Sequence, residues 1–469
     1  MTLRKLALGL IGSSVFAIAT PSVPAGSSAD ATPVAAPAAP VDTTVIATAA
    51  ADPFPTPVAA REGVAFWKRV WSEWTLAQVA LHDNVYHQVV YEVIDLPGSV
   101  GEVYTGEQRD FVKERREALQ ARLEVLESKL AESEPLDDGE KELALLITSR
   151  AGADAIQGAR ERVRAQRGLR ERFLRGVEIS GRYLPEFKSI FRQAGLPEDL
   201  AYLPHVESSF QEHARSSAGA VGMWQFTRPA AKRFLTMTPS VDERLDPVAS
   251  AHGGARYMKQ AFDELGTWPL AVTSYNHGIG GMRRAKERFG EEFDVIISSF
   301  DGKTFGFASR NFYVSFVAAR DVAKAYETSP PPDLTFEVPL ALDHVVLDAP
   351  ATAAALAHRY RVKASELAIL NRAWTRRAVR GGASIPAGVR VWLPAGTLDR
   401  IASGPSRRQV AGRTEIGARA RVHTVARGDT LSRIAQQYGV PLRGLLAHNG
   451  LRVDSVVRPG QKIRIPPAH

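Results

Sequence analysis

The segment "LPHVESSFQEHARSSAGAVGMWQF", Leu203–Phe226, holds a glutamate in unusual company. Glu207 has Leu203, Val206 and Phe210 around it, and no Lys or Arg follows until Arg215. Such a carboxyl is either a solvated surface group or a working acid. Burial would raise its pKa, because the ionised form loses more solvation than the neutral one. A carboxylic acid still protonated near neutral pH can donate to a glycosidic oxygen as a sugar departs. Downstream, Gly219 and Gly222 allow close backbone approach, and Gln225 carries an amide. "SYNHGIGG" adds a hydroxyl at Tyr275 and a second amide at Asn276. A second carboxylate, which ordinary glycosidases require, is hard to find. Glu212 is near in sequence, and Asp242, Glu243 and Asp246 lie in "VDERLDP", where caps and pairing with Arg244 are the expected roles.

Other chemistries find little support. His205 and His213 lack HExxH spacing, and there is no cysteine, which removes thiolate metal sites, thiol nucleophiles and a lipidated N-terminal Cys. No metal or other cofactor is expected. "GIGGMRRAKERFG" lacks GxGxxG spacing and follows no strand pattern, so a nucleotide turn is not expected.

The elements that must position Glu207 are read from periodicity. "GLPEDLAYLPHVESSF" opens a helix at Pro197 with acids in its first turn, which puts Glu207 near the helix end. From about Leu169 to Tyr326 the chain stays helical, and "SPPPDL" ends the run. Residues 61–169 also read as helical. Leu119, Leu123, Leu126 and Leu130 recur at helical spacing, and Trp67, Trp71 and Trp74 form a row expected to pack in a core.

At 469 residues, the chain is long enough for several domains. Arg4 and Lys5 precede the apolar run Leu6–Ala19 and a cleavage-like Val23-Pro24-Ala25, so residues 1–25 read as a signal peptide. Export to the periplasm or cell envelope follows, with no integral membrane segment after cleavage. Residues 26–60, rich in Ala and Pro, read as a tether. The net charge of +8 is uneven: residues 400–469 hold 13 Lys or Arg against 3 acids, or +10, leaving about −2 elsewhere. For an exported chain this basic end points to anionic wall polymers rather than nucleic acid.

An internal repeat closes the chain. "LAHRYRVKASELAILN" and "IAQQYGVPLRGLLAHN" match at Tyr360/Tyr438, Val362/Val440, Leu367/Leu445 and Asn371/Asn449, an offset of 78 residues. In the second copy Asp429 or Thr430 can cap a helix that Gly439 ends, and the order reads β-α-α-β.

With "GDTLSRIA", "YGV" and "HN", that last unit resembles a LysM domain, which implies binding of N-acetylglucosamine-containing glycans. The earlier unit resembles one too, but Pro350-Ala351-Thr352 replaces Gly428-Asp429-Thr430, so weak glycan binding is expected there. "LPHVESSF", "SSAGAVGMWQF", "VDERLDP", "SYNHGIGG" and "RNFYVSF", in that order, resemble the family 1 lytic transglycosylases. The resemblance implies a mainly α fold: a lysozyme-like catalytic domain at 170–326, with a helical N-terminal extension. Small βααβ units follow at 335–396 and 421–467, joined by a linker at 397–420. It implies Glu207 as acid and base, with Ser216, Met223, Gln225, Tyr275 and Asn276 lining a sugar site and Tyr313 orienting Glu207. The implied reaction is non-hydrolytic cleavage of peptidoglycan glycan strands to 1,6-anhydro-N-acetylmuramyl ends. Departures from the pattern include Gln211-Glu212, "TRPAA" and His277. A lysozyme-like hydrolase and a non-catalytic peptidoglycan-binding scaffold are the alternatives.

Overall fold

The computed structural model describes residues 52–403, 422–426, 428–438, 440–451, 455 and 457–466. The signal peptide, most of the tether, linker residues 404–420, Arg421, Gly439 and Pro467 lie outside the described residues. The chain divides into two compact units, one ending at Leu393 and the other starting at Pro394. Among the described residues, no helix is long and apolar enough to cross a membrane.

The larger unit opens with α1 (Arg61–Ser72), β1 (Gln78–Asp83) and β2 (Val90–Asp95). Helices α2 (Gly106–Ala131), α3 (Asp138–Ala151) and α4 (Ala159–Arg162) lead to β3 (Val163–Arg167). The strands form an antiparallel sheet in the order β2-β1-β3, which corrects the all-helical reading of residues 61–169. The strand signal was in the β-branched and aromatic runs "AQVALHD" and "VVYEVID", short segments beside a long charged helix. That helix is α2, closed at its start by a Thr105/Gln108 capping box. Leu119, Leu123 and Leu126 are buried as their spacing requires, while Leu130 lies in the exposed last turn.

Two tryptophans of the expected row bond to one distant helix. Trp67 Nε1 donates to Asn311 Oδ1 at 3.0 Å and Trp71 Nε1 to the Ser315 carbonyl at 3.3 Å, while all three rings are buried. The tether ends earlier than expected. Phe54 is fully buried, with its ring 5.2 Å from Phe316 and 5.6 Å from Trp268. Asp52 forms a bidentate pair with Arg320 at 2.9 and 3.0 Å. One aromatic side chain at the edge of an Ala/Pro stretch is enough to dock the backbone around it.

The helical run follows: α5 (Arg170–Gln193), α6 (Leu203–Ser208), α7 (Arg228–Phe234), α8 (Pro247–Leu265) and α9 (Trp268–His277). It ends with α10 (Ile279–Phe289), α11 (Phe293–Ser299) and α12 (Phe307–Thr328), and no strand interrupts it. Helix α12 packs against α1, α6 and α9 and is the axis of the largest core cluster.

The first repeat comprises β4 (Leu342–Val346), α13 (Ala353–Tyr360), α14 (Ala364–Leu370), α15 (Arg376–Arg380) and β5 (Arg390–Pro394). Its core includes Val241 from the preceding helical region, and Val241 bridges to Trp374. Helix α16 (Thr397–Ala402) occupies the start of the segment expected to be a linker. The second repeat comprises β6 (Val422–Thr424), α17 (Leu431–Gln437), α18 (Leu442–Asn449) and β7 (Lys462–Arg464), around its own apolar core. Thr430, not Asp429, caps α17; Asp429 instead accepts from the Ala426 amide and pairs with His423.

Both repeats carry the same polar brace. Asn371 donates to the Leu367 and Trp392 carbonyls and accepts from the Trp392 amide. Asn449 does the same with the Leu445 and Arg464 carbonyls and the Arg464 amide. The spacing from brace to strand differs, 21 residues against 15, and α15 lies within the longer loop.

Truncation of Phe54 to Ala is expected to cost about 3–5 kcal/mol, the range for a fully buried aromatic. Urea unfolding of the full chain measures it. An unchanged midpoint would show that residues 52–57 add nothing to the core.

Candidate active site

Every residue of α6 is buried, from Leu203 to Ser208. Glu207 is 2% exposed, and neither carboxyl oxygen has a hydrogen-bond partner among the described residues. Burial alone pushes its pKa well above the ordinary 4.5, with no cation near enough to oppose the shift. An ionised carboxylate in this setting would be costly, so the neutral acid is the form the site holds. His205 faces away, its ring 4.9 Å from Phe173 and 4.5 Å from Phe210. Desolvation holds it neutral, with a pKa of about 3, and it is a core residue.

Helix α6 ends abruptly. Ser209 and Phe210 both adopt left-handed backbone conformations, φ 51° and 56°, unusual for residues with side chains. The turn is possible because Gly176 of α5 leaves room: a Cβ there would lie 2.8 Å from the Ser209 carbonyl oxygen. Ser208 Oγ donates to the Met223 carbonyl at 2.7 Å, tying the acid's helix to the following loop.

That loop is held from beneath by the "VDERLDP" motif. Arg244 pairs with Asp242 at 2.8 Å, and a Cβ on Gly222 would lie 1.8 Å from the Arg244 carbonyl oxygen. Asp246 caps α8 through the Val248 and Ala249 amides and accepts from Trp392 Nε1 at 2.7 Å. Glu243 accepts from the Thr236 amide at 2.6 Å. Glu212 is held by Arg182 at 3.1 Å and Arg372 at 3.0 Å. All four alternative acids are therefore engaged in structure, as the sequence pattern indicates for the "VDERLDP" set.

The expected site residues divide into groups. Tyr275 is fully buried, which pushes its pKa well above the ordinary 10, and its hydroxyl donates to the Trp224 carbonyl at 2.9 Å. Asn276 follows, with Oδ1 accepting from Ser309 Oγ at 2.6 Å. Met223 is buried in the core and reaches Glu207's helix through its carbonyl. Gln225, at φ 48°, spends its amide hydrogens on the Gly222 and Ala214 carbonyls, at 2.8 and 3.2 Å. Only its Oε1 remains uncommitted. Ser216 accepts from the Ala220 amide at 2.9 Å and shapes the turn.

Tyr313, expected to orient Glu207, donates from its hydroxyl to the Pro55 carbonyl at 2.6 Å, and among the described residues no hydrogen bond joins it to Glu207. One position along α12 turns a side chain by about 100°, and Phe312, not Tyr313, stacks on Tyr275 with centroids 6.4 Å apart. Sequence reasoning gave no role to Ser208, Phe312 or Ser309. The first lies inside the glutamate motif, the second inside "RNFYVSF", and the third two residues before Asn311. His277, a departure from the family pattern, packs 4.9 Å from Phe305, in space that a side chain at residue 281 would fill.

The sequence matches two known families and several known proteins. Residues 187–295 match the Transglycosylase SLT domain family, and residues 423–466 match the LysM domain family. The chain carries both domains. It is 31% identical over 299 residues to membrane-bound lytic murein transglycosylase D of Escherichia coli K12, covering 58% of this chain and 61% of that protein. It is 34% identical over 126 residues to membrane-bound lytic murein transglycosylase F of Aeromonas hydrophila, covering 24% of each. The chain thus spans about three fifths of the first relative and a quarter of the second. Among solved structures, the lytic transglycosylase Slt of Pseudomonas aeruginosa, as an inactive mutant, gives a TM-score of 0.26 at 21% identity, covering 32% of this chain and 25% of that one.

The raised pKa of Glu207 carries a stability signature. Between the ordinary 4.5 and the raised native value, the unfolded chain ionises Glu207 while the folded chain does not. Native stability is therefore lost as pH rises through this window. Glu207→Gln removes the term. The variant should melt higher than the parent chain at pH 7–8, with the gap closing below pH 4.5. A gap independent of pH would contradict the buried neutral acid.

Proposed function

We propose that this protein is a lytic transglycosylase that cleaves the β-1,4 bond between N-acetylmuramic acid and N-acetylglucosamine in peptidoglycan. One observation carries the reading: a buried, unpartnered glutamic acid, Glu207, inside the matched SLT region. Neutral Glu207 gives its proton to the glycosidic oxygen, and the bond to C1 breaks as positive charge gathers there. The substrate's own N-acetyl group supports that charge. Glu207, now a carboxylate in a poorly solvated site, is a strong base and takes the proton from O6–H as O6 closes on C1. The proton given away stays on the new hydroxyl of the departing sugar, the one taken from O6 restores neutral Glu207, no water is consumed, and the product end is 1,6-anhydro-N-acetylmuramic acid.

The engaged state of the other acids favours this over hydrolysis. An inverting hydrolase needs a base about 6.5–9.5 Å from the acid to hold a water, and a retaining one needs a nucleophile at about 5–5.5 Å. Glu212, Asp242, Glu243 and Asp246 are each tied to cations or backbone amides. The LysM domain serves as the wall anchor, in keeping with the surplus of cations at the chain's end, and the substrate places the protein in the cell envelope.

Glu207→Gln keeps the shape but cannot deliver a proton, so cleavage of purified peptidoglycan should fall by about 10²–10⁴-fold. Mass spectrometry should show muramyl ends lighter by one water than lysozyme products and resistant to borohydride. Reducible ends would make the enzyme a hydrolase. For the anchor, the final unit at 421–467 should co-sediment with insoluble peptidoglycan at moderate salt, and a unit that stays in the supernatant would count against that role.

A further inference from the structure

We infer that Ser309 is a positioning residue that fixes which end of the Asn276 amide meets the sugar, an inference that rests on the transglycosylase reading. The two ends of an amide are nearly the same shape and opposite in hydrogen bonding, so the partner on one side decides what the other side offers. Here Ser309 Oγ donates to Asn276 Oδ1 at 2.6 Å, and both residues are buried. Among the described residues Nδ2 has no acceptor, and it is not fully enclosed, so it is the end left for a ligand. The reverse arrangement would take from the buried Ser309 proton the acceptor it has here, its one side-chain hydrogen bond among the described residues. The serine therefore presents an N–H₂ donor at the end of α9, next in sequence to Tyr275. Its ligand is an acceptor oxygen of the bound amino sugar, a hydroxyl or amide carbonyl.

The placement of Ser309 is itself fixed. Two residues further along α12, Asn311 accepts from Trp67 Nε1 and donates to the Phe307 carbonyl at 3.1 Å. The first turn of α12 is thus pinned to α1, and Ser309 meets Asn276 without a search.

The test is steady-state cleavage of soluble glycan strands, with products read by mass spectrometry. Ser309→Ala should lower kcat about tenfold, the scale of one lost hydrogen bond, with KM within about twofold and the pH profile unmoved. Ser309→Thr should restore most of the rate. Asn276→Asp keeps the acceptor for Ser309 and removes the N–H₂, so it should reproduce the loss with Ser309 intact. In an Asn276→Ala background, Ser309→Ala should add nothing. Multiplying losses in that cycle, a threonine no better than alanine, or near-normal kcat for Asn276→Asp would each overturn the inference. Absence of cleavage by the unmodified chain would instead overturn the transglycosylase reading.

Discussion

A carboxyl group held in the dry without a partner is the constraint on which the larger unit depends. Left to itself, Glu207 would move toward solvent or draw in a cation, because burial of an unsatisfied acid is unfavourable. The surroundings prevent both. Helix α6 is buried along its whole length, its end is turned by two left-handed residues, and that turn fits only because α5 offers a glycine there. Ser208 and Tyr275 fasten neighbouring carbonyls of one loop, at Met223 and Trp224, so the wall beside the acid is set by backbone rather than by mobile side chains.

Helix α12 ties this arrangement to the rest of the molecule. It packs on α6, supplies Phe312 to the face of Tyr275 and Ser309 to Asn276, and is clamped behind by the N-terminal region. Trp67 and Trp71 bond to it from α1, while Asp52, Phe54 and Pro55 bind it through Arg320, Phe316 and Tyr313. The tryptophan row is therefore a structural support, in keeping with its burial, and not a sugar platform. Engagement of Tyr313 by Pro55 follows from the same design, since one helix serves the site on one face and its scaffold on another.

The two repeats show how one small fold serves two ends. Each retains the asparagine brace between its second helix and closing strand, because that strand is too short to hold itself in place. In the first, the loop before the closing strand is longer, and Trp374 and Ala373 within it pair with Val241 and Asp242. That loop is thereby built into the helical region. In the second, Asp429 ties a tight Gly-Asp-Thr turn to His423 within the unit itself.

Much of this was legible in the sequence because it depended on local pattern. Helical spacing placed α2 and the run from α5 to α12; the repeat followed from four aligned residues, and the acid followed from the motif around Glu207. The sheet at β1–β3 was not legible, because its strands are short and their pairing, β1 with both β2 and β3, joins residues up to 88 positions apart (Val79 with Arg167). Nor was the docking of Phe54, whose partners Trp268 and Phe316 come from far along the chain. By itself, the sequence determined which chemistry was present: one acid in apolar company, with amides and a hydroxyl nearby. Only the tertiary structure decided where each proton goes, that Tyr313 serves Pro55 and Ser309 serves Asn276. Hydrogen bonds between distant segments depend on a few tenths of an ångström in packing, which no local pattern records.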